Sequence, residues 1–210
     1  MIIGHRGSGT VELENTISGF YKAINTGYIS WVEFDVRKCK DDLIVLHDET
    51  IDRTTMGTGL AIDYNLSELQ QFSIRGGNDV IPSLDQVLQK LAKTNVGLNI
   101  EIKEPDIFHS VVNKLNEYVI NYLIAYERIV ISSYCLNNLE TVPYQTGYLY
   151  DEIPNILPKN KLVIFNYKIL DASLCKILID RQCSIWCYTI DNYDDIDELY
   201  RWGITGFIIN

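Results

Sequence analysis

The chain has 210 residues, 47% hydrophobic and 22% charged, a balance that excludes global disorder. Its 18 Lys and Arg stand against 28 Asp and Glu, and the formal charge of −10 argues against a broad nucleic-acid footprint or polybasic docking on an anionic membrane. A small anionic ligand stays open, because a few local cations or a metal ion outweigh the global field. Five cysteines, at 39, 135, 175, 183 and 187, are scattered and odd in number. Cys183 and Cys187 would stand about 13 Å apart in an extended segment, too far to bridge, so the cysteines read as free buried thiols of a reducing compartment. No apolar run reaches the ~18 residues of a membrane span, and Met1-Ile2-Ile3 is too short for a signal-peptide core. The expectation is a cytoplasmic protein of one domain over residues 1–210, without stable membrane association.

In chain order, Met1–His5 opens as a strand, and Asn15 or Thr16 caps a helix with Ile17, Phe20, Tyr21 and Ile24 on one stripe, stopped by Gly27. Strands follow at Trp31–Arg37 and Leu43–His47. Ser83 starts a helix with Leu84, Val87, Leu88 and Leu91 inward, and Val96–Lys103 is again strand-like. Ile107 to Val119 carries the clearest amphipathic pattern. Arg128–Ser133, Thr146–Tyr150 and Leu162–Asn166 are strands, and Asp171 caps a helix burying Leu174, Ile177 and Leu178. Strand Ser184–Ile190, helix Tyr193–Trp202 and strand Gly206–Asn210 complete the series.

Alternation of this kind predicts a parallel α/β sheet. Nine strands is one more than a (β/α)8 barrel has. Leu43–His47 is the extra one, because Cys39 to Asp42 is too short for a parallel crossover and must make an antiparallel hairpin. The prediction is a TIM (β/α)8 barrel, with an open doubly wound sheet as the alternative. The sequence shows no closing eighth helix after Asn210. Apolar surface on the first and eighth barrel strands must then be covered by the N-terminal and last helices, or by a second subunit in a homo-oligomer.

Residues i and i+2 share a face of a strand. Glu33 and Asp35 therefore face one way, against Val32, Phe34 and Val36, and Asn99, Glu101 and Lys103 alternate with Ile100 and Ile102. Helices cover the apolar faces, so the polar sets point into the barrel, near the strand C-termini where barrel active sites lie. At ~4 Å and an effective dielectric of 20 each like-charge pair costs about 4 kcal/mol. Either some of the three are protonated or a cation sits among them; Lys103 offsets one of the three charges, and one divalent ion would cancel the other two. An all-carboxylate donor set selects Mg2+ or Ca2+. His5 ends the first strand and His47 the returning arm of the hairpin, both at this rim, while His109 lies on the amphipathic helix. Two imidazoles suit a reaction that removes a proton from a nucleophile and gives one to a leaving oxygen. Arg6 adds a fork matched to phosphate. Together these residues point to phosphoryl transfer.

Set in order, Gly4-His5-Arg6-Gly7, Glu14-Asn15-Thr16, Glu33-Phe34-Asp35-Val36, His47-Asp48, Asp52-Arg53-Thr54-Thr55, Gly57-Thr58-Gly59, Ile81-Pro82-Ser83-Leu84 and Glu101-Ile102-Lys103 resemble the glycerophosphodiester phosphodiesterase family, nearly end to end. The resemblance implies a barrel with a small insertion after the second strand, about residues 48–78. It also implies His5 and His47 as the acid/base pair and Glu33, Asp35 and Glu101 as ligands of one divalent cation, Mg2+ or Ca2+. Arg6 and Lys103 would hold the phosphate. The implied reaction is hydrolysis of glycerophosphodiesters to sn-glycerol 3-phosphate and an alcohol, through a cyclic intermediate or by direct attack of water.

The chain departs from the family pattern in three places. Leu13 stands where a proline usually precedes Glu-Asn-Thr. The Trp-Thr-Val-Asn of the seventh barrel strand reads Tyr188-Thr189-Ile190-Asp191, which alters the wall that Tyr188 would present to the substrate. The closing Asp-Gly-Ile-Ile-Thr-Asp reads Thr205-Gly206-Phe207-Ile208-Ile209-Asn210. Two other functions stay open: a lysophospholipid or phosphoinositide phosphodiesterase, and an inactive barrel serving as a binding module.

Overall fold

β-Branched and aromatic residues in two-residue alternation give nine strands, and the computed structural model, which describes residues 1–10, 13–135 and 142–210, contains all nine. They are β1 (Ile2–Gly4), β2 (Trp31–Lys38), β3 (Leu43–Val45), β4 (Gly97–Ile102), β5 (Ile129–Ser133), β6 (Gln145–Tyr150), β7 (Leu162–Asn166), β8 (Ser184–Ile190) and β9 (Gly206–Ile209). Eight of them pair in parallel in the order β1-β9-β8-β7-β6-β5-β4-β2, and β1 closes the ring on β2. The barrel is closed, and the open-sheet alternative is set aside. The ninth, β3, is the antiparallel arm of the hairpin, with Lys38 opposite Leu43 and Val36 opposite Val45. It fits because β1 is short. β1 meets β2 only at Trp31 and Val32, which leaves the upper edge of β2 for β3.

Helices α1 (Ile17–Asn25), α2 (Leu66–Leu69), α3 (Leu84–Leu91), α4 (Phe108–Ile120), α5 (Ala172–Asp180) and α6 (Asp195–Arg201) stand outside the strands. Side-chain caps start three of them: Thr16 accepts from the Gly19 amide, Ser83 from Gln86 and Asp171 from Leu174. Two helix faces differ from expectation. On α1, Phe20 and Ala23 carry the burial, with Tyr21 and Ile24 only half-buried. On α5, Ile177 is 48% exposed, and Leu174, Cys175 and Leu178 face the sheet. The small Cys175 packs into the same cluster as Cys187, which turns the helix away from Ile177.

Two apolar layers result. Outside the strands, Val32, Phe34, Val36, Leu98, Ile100 and Ile102 pack against α1, α3 and α4. The outward residues of β9, Phe207 and Ile209, are buried with Leu199 of α6 and with Ile204, and the half-buried Ile29, just beyond α1, packs against the same cluster. Inside, Ile3, Val130, Leu149, Ile164, Trp186 and Ile208 fill the barrel, with Trp31 edge-on to Trp186 at 5.7 Å. This plug leaves only the upper ends of the strands for polar inward side chains. Between β3 and α3 the chain makes a satellite cluster of its own around Ile44, Leu46, Ile51, Leu69 and Ile81. All five cysteines are free, and none of the described helices is long and apolar enough to cross a membrane.

Phe34 lies on the helix-covered face of β2 at 0% exposure, so Phe34→Ala lowers the unfolding free energy by about 3–5 kcal/mol. Ile177→Ala changes it by no more than about 0.5 kcal/mol, because that side chain is not packed against the sheet. Denaturant unfolding of both variants checks the two faces.

Candidate active site

β2 and β4 run in register, with Glu33 beside Asn99 and Asp35 beside Glu101. The inward phase of both strands brings Glu33, Asp35 and Glu101 together above the apolar plug. One oxygen from each lies within 4.8 Å of the others. Glu33 and Asp35 are buried, at 3% and 1% exposure. At that separation two ionised carboxylates repel by about 3–4 kcal/mol even at a dielectric of 20.

The surroundings answer this repulsion unequally. Lys103 Nζ sits 2.6 Å from Glu101 Oε1 and 3.4 Å from Asp35 Oδ1, and Arg6 Nε is 3.5 Å from Asp35 Oδ2. Asn15 donates to Asp35 Oδ2 at 2.8 Å and accepts from the Asp35 backbone amide. Burial opposes the charge of Asp35, but Lys103, Arg6 and His47 outweigh it and hold its carboxyl below the usual range. Glu33 has fewer such partners, and burial, then Asp35 and Glu101, push it well above the usual range. Burial and Asp35 push Glu101 up to about 7. The cluster therefore lacks positive charge. Beside it in the strand register, Asn99 Oδ1 next to Glu33 and Ser132 Oγ next to Glu101 are buried without a hydrogen-bond partner among the described residues. A hard donor set short of cationic charge fits a divalent metal ion.

The loop after β1 shapes the other wall. Arg6 is left-handed at φ 50°, and its backbone amide donates to Glu33 Oε2 at 2.8 Å. Gly7 follows at φ 89°, where a Cβ would meet the Phe20 ring at 2.9 Å, so only glycine permits this turn against α1. His5 lies just before it, with Nδ1 2.7 Å from Asn210 Oδ1. Burial, with Arg6 nearby, lowers the pKa of His5.

His47 reaches the same rim from the hairpin. Its carbonyl accepts from Arg37 Nε at 2.7 Å, and the Leu46 amide donates to the Asp35 carbonyl at 3.1 Å. Its Nδ1 is 2.6 Å from Asp48 Oδ1. Burial lowers the pKa of His47, and Asp35 and Asp48 partly offset that.

The structure thus brings His5, His47, Glu33, Asp35, Glu101, Lys103 and Arg6 to one mouth. Tyr188 stands on another part of the rim and hydrogen-bonds to none of them. It donates to Asp151 Oδ1 at 2.9 Å and meets the Tyr134 hydroxyl at 2.6 Å. His109 is exposed on α4. Sequence reasoning assigned no part to Arg53, which donates to both Asp48 and Glu14, or to Glu14, which is paired with Arg6 at 3.0 Å. Both lie within quoted motifs, but no spacing rule reveals that residues 39 positions apart form an ion pair.

Residues 5–143 match the model of the glycerophosphoryl diester phosphodiesterase family. A glycerophosphodiester phosphodiesterase of Caldanaerobacter subterraneus subsp. tengcongensis is 29% identical, over 99% of this chain and 93% of its own. One from Bacillus subtilis is 23% identical, over 100% and 83%. Among solved structures, an Oleispira antarctica phosphodiesterase in complex with its product sn-glycerol-3-phosphate superposes with a TM-score of 0.87, at 22% identity, covering 100% of this chain and 92% of that one. A glycerophosphodiester phosphodiesterase from Agrobacterium tumefaciens gives 0.79 at 20% identity, over 99% and 95%. At these identities the two structures speak for the barrel, and the family match speaks for descent: the chain belongs to the glycerophosphoryl diester phosphodiesterase family.

Proposed function

We propose that this phosphodiesterase-family barrel hydrolyses glycerophosphodiesters to sn-glycerol 3-phosphate and an alcohol, with one divalent cation, Mg2+ or Ca2+, held by Glu33, Asp35 and Glu101. The observation that carries the reading is the group of three carboxylates whose oxygens lie within 4.8 Å, inside a barrel of this family. When bound, the cation supplies Lewis-acid polarisation of a phosphoryl oxygen and the positive charge the carboxylates lack.

The chain's own groups do the rest. Arg6 Nε faces Asp35 Oδ2 at 3.5 Å without hydrogen-bonding to it or to any other described residue, and the guanidinium is the group that would offer a donor to a phosphate oxygen. Lys103 has three donors and spends one on Glu101 at 2.6 Å, so it can bridge the carboxylates and the phosphate. His5 and His47 move the protons: one ring takes a proton from the attacking hydroxyl, and the other gives one to the leaving alcohol oxygen. That hydroxyl is either water or the glycerol hydroxyl beside the phosphate. Tyr188 forms part of the wall that would meet the glycerol or the leaving group.

Asp48 keeps His47 in position. Burial works against its charge, but hydrogen bonds from Arg53 and His47 prevail and bring its pKa down to about 2. Its folded pKa is depressed, so its contribution to stability is present above the unfolded value of about 4 and is lost as pH falls through about 2.

With glycerophosphocholine or glycerophosphoethanolamine, glycerol 3-phosphate is released in the presence of Mg2+ or Ca2+ and not in excess chelator; activity indifferent to chelator would rule the metal out. His5→Ala and His47→Ala each lower kcat by on the order of 10²-fold with the fold retained. Glu101→Gln raises the metal concentration required for half-maximal activity. Between about pH 4 and pH 2, unfolding measurements on Asp48→Asn show a smaller loss of stability than those on the parent.

A further inference from the structure

Two of the sequence departures, Asp191 and Asn210, are hydrogen-bonded to each other and through Asn210 to His5. The backbone sets this up. The His5 amide donates to the Ile209 carbonyl at 2.9 Å and the Asn210 amide to the Ile190 carbonyl at 3.2 Å, so the residues after β1, β9 and β8 stand side by side. The side chains continue the row. His5 Nδ1 is 2.7 Å from Asn210 Oδ1, and Asn210 Nδ2 donates to Asp191 Oδ1 at 2.5 Å.

Asn210 is clamped from two further directions. The Tyr193 hydroxyl donates to its carbonyl at 2.7 Å. On another side Gly9, at φ 68°, lies so close that a Cβ there would be 2.3 Å from Asn210 Cα, and the Gly9 amide is bonded to the His5 carbonyl at 3.0 Å.

The donor and acceptor inventory fixes the direction of the row. An ionised carboxylate only accepts, so the Asn210 NH2 must face Asp191. Its oxygen then faces His5, and His5 Nδ1 must carry the hydrogen. The lone pair of the neutral ring is left on Nε2. His47 is built differently, since its Nδ1 meets the Asp48 carboxylate directly at 2.6 Å. One imidazole is backed by a charge, the other by a neutral amide with the charge one residue further away.

We propose that Asp191 and Asn210 act as one positioning unit for His5: Asp191 orients the amide, the amide selects the Nδ1–H tautomer, and His5 offers Nε2 as the proton acceptor. His47 is left as the proton donor. The inference rests on the two-histidine reading above, and its first test is independent of turnover.

15N NMR of histidine-labelled protein, assigned by His47→Gln and His109→Gln, reads the tautomer of each ring. Neutral His5 is expected as Nδ1–H, and an Nε2–H majority would overturn the proposal. Asp191→Asn removes the group that fixes the amide. The expected result is a mixture of His5 tautomers, with kcat lowered on the order of 10-fold and KM little changed. The exchanged pair Asp191→Asn/Asn210→Asp puts a carboxylate against His5 with an amide behind it, and is expected to restore the single tautomer and most of the kcat. Circular dichroism checks the fold of each variant, which should hold because both positions are exposed. A purely structural role would not give rescue by exchange. Unchanged tautomer and kcat in Asp191→Asn, or no rescue by the exchanged pair, would refute the unit. Full activity in His5→Ala would instead sink the two-histidine reading and leave the tautomer result standing.

Discussion

Carboxylates buried together at one end of a barrel repel one another, and this repulsion governs the upper half of the barrel. Glu33, Asp35 and Glu101 are brought there by strand phase and register, with Trp31 and Trp186 filling the space below. Each neighbouring polar group answers the problem in part. Lys103 and Arg6 bring positive charge, Asn15 ties Asp35 by two hydrogen bonds, and the left-handed turn at Arg6 aims a backbone amide at Glu33. What they leave uncompensated, seen in the raised pKa values of Glu33 and Glu101, is the share a divalent cation would take. Stability and chemistry are coupled here, because the same deficit of positive charge strains the folded state and suits the cluster to a cation.

A second layer of charge surrounds the first. Arg53 donates to Asp48 and to Glu14, and Glu14 pairs with Arg6. His47, delivered by a hairpin, and Arg6, delivered by the loop after β1, are thus joined through side chains although no strand pairing connects their loops. Such a network holds two loops in a common frame, as the proposed proton transfer by two histidines would require.

Much of this was legible in the sequence because strands impose a strict two-residue period. The inward phase of Glu33, Asp35 and Glu101 follows from the alternation with Phe34, Ile100 and Ile102, and the hairpin follows from a connection too short for a crossover. Helix rotation was harder. Ile177 belongs to an apolar stripe by spacing, but the small Cys175 lets α5 settle the other way round, and only packing decides between the two faces. The long-range polar partners were invisible for another reason. Arg53 with Glu14, or His5 with Asn210, pair across tens to hundreds of residues, and a pair of that kind leaves no periodic trace in a single sequence.

The aromatic plug under the acidic cluster has a kinetic corollary. Trp31, Trp186 and the aliphatic residues around them fill the barrel below the cluster, so no route runs through its floor and the upper rim serves as the doorway. Arriving diester, departing alcohol, departing phosphate monoester and the water that replaces them all pass the same rim, where Tyr134 and Tyr188 lean together by their hydroxyls. Both products therefore leave on the side where the substrate entered, and the order in which they depart becomes part of the catalytic cycle.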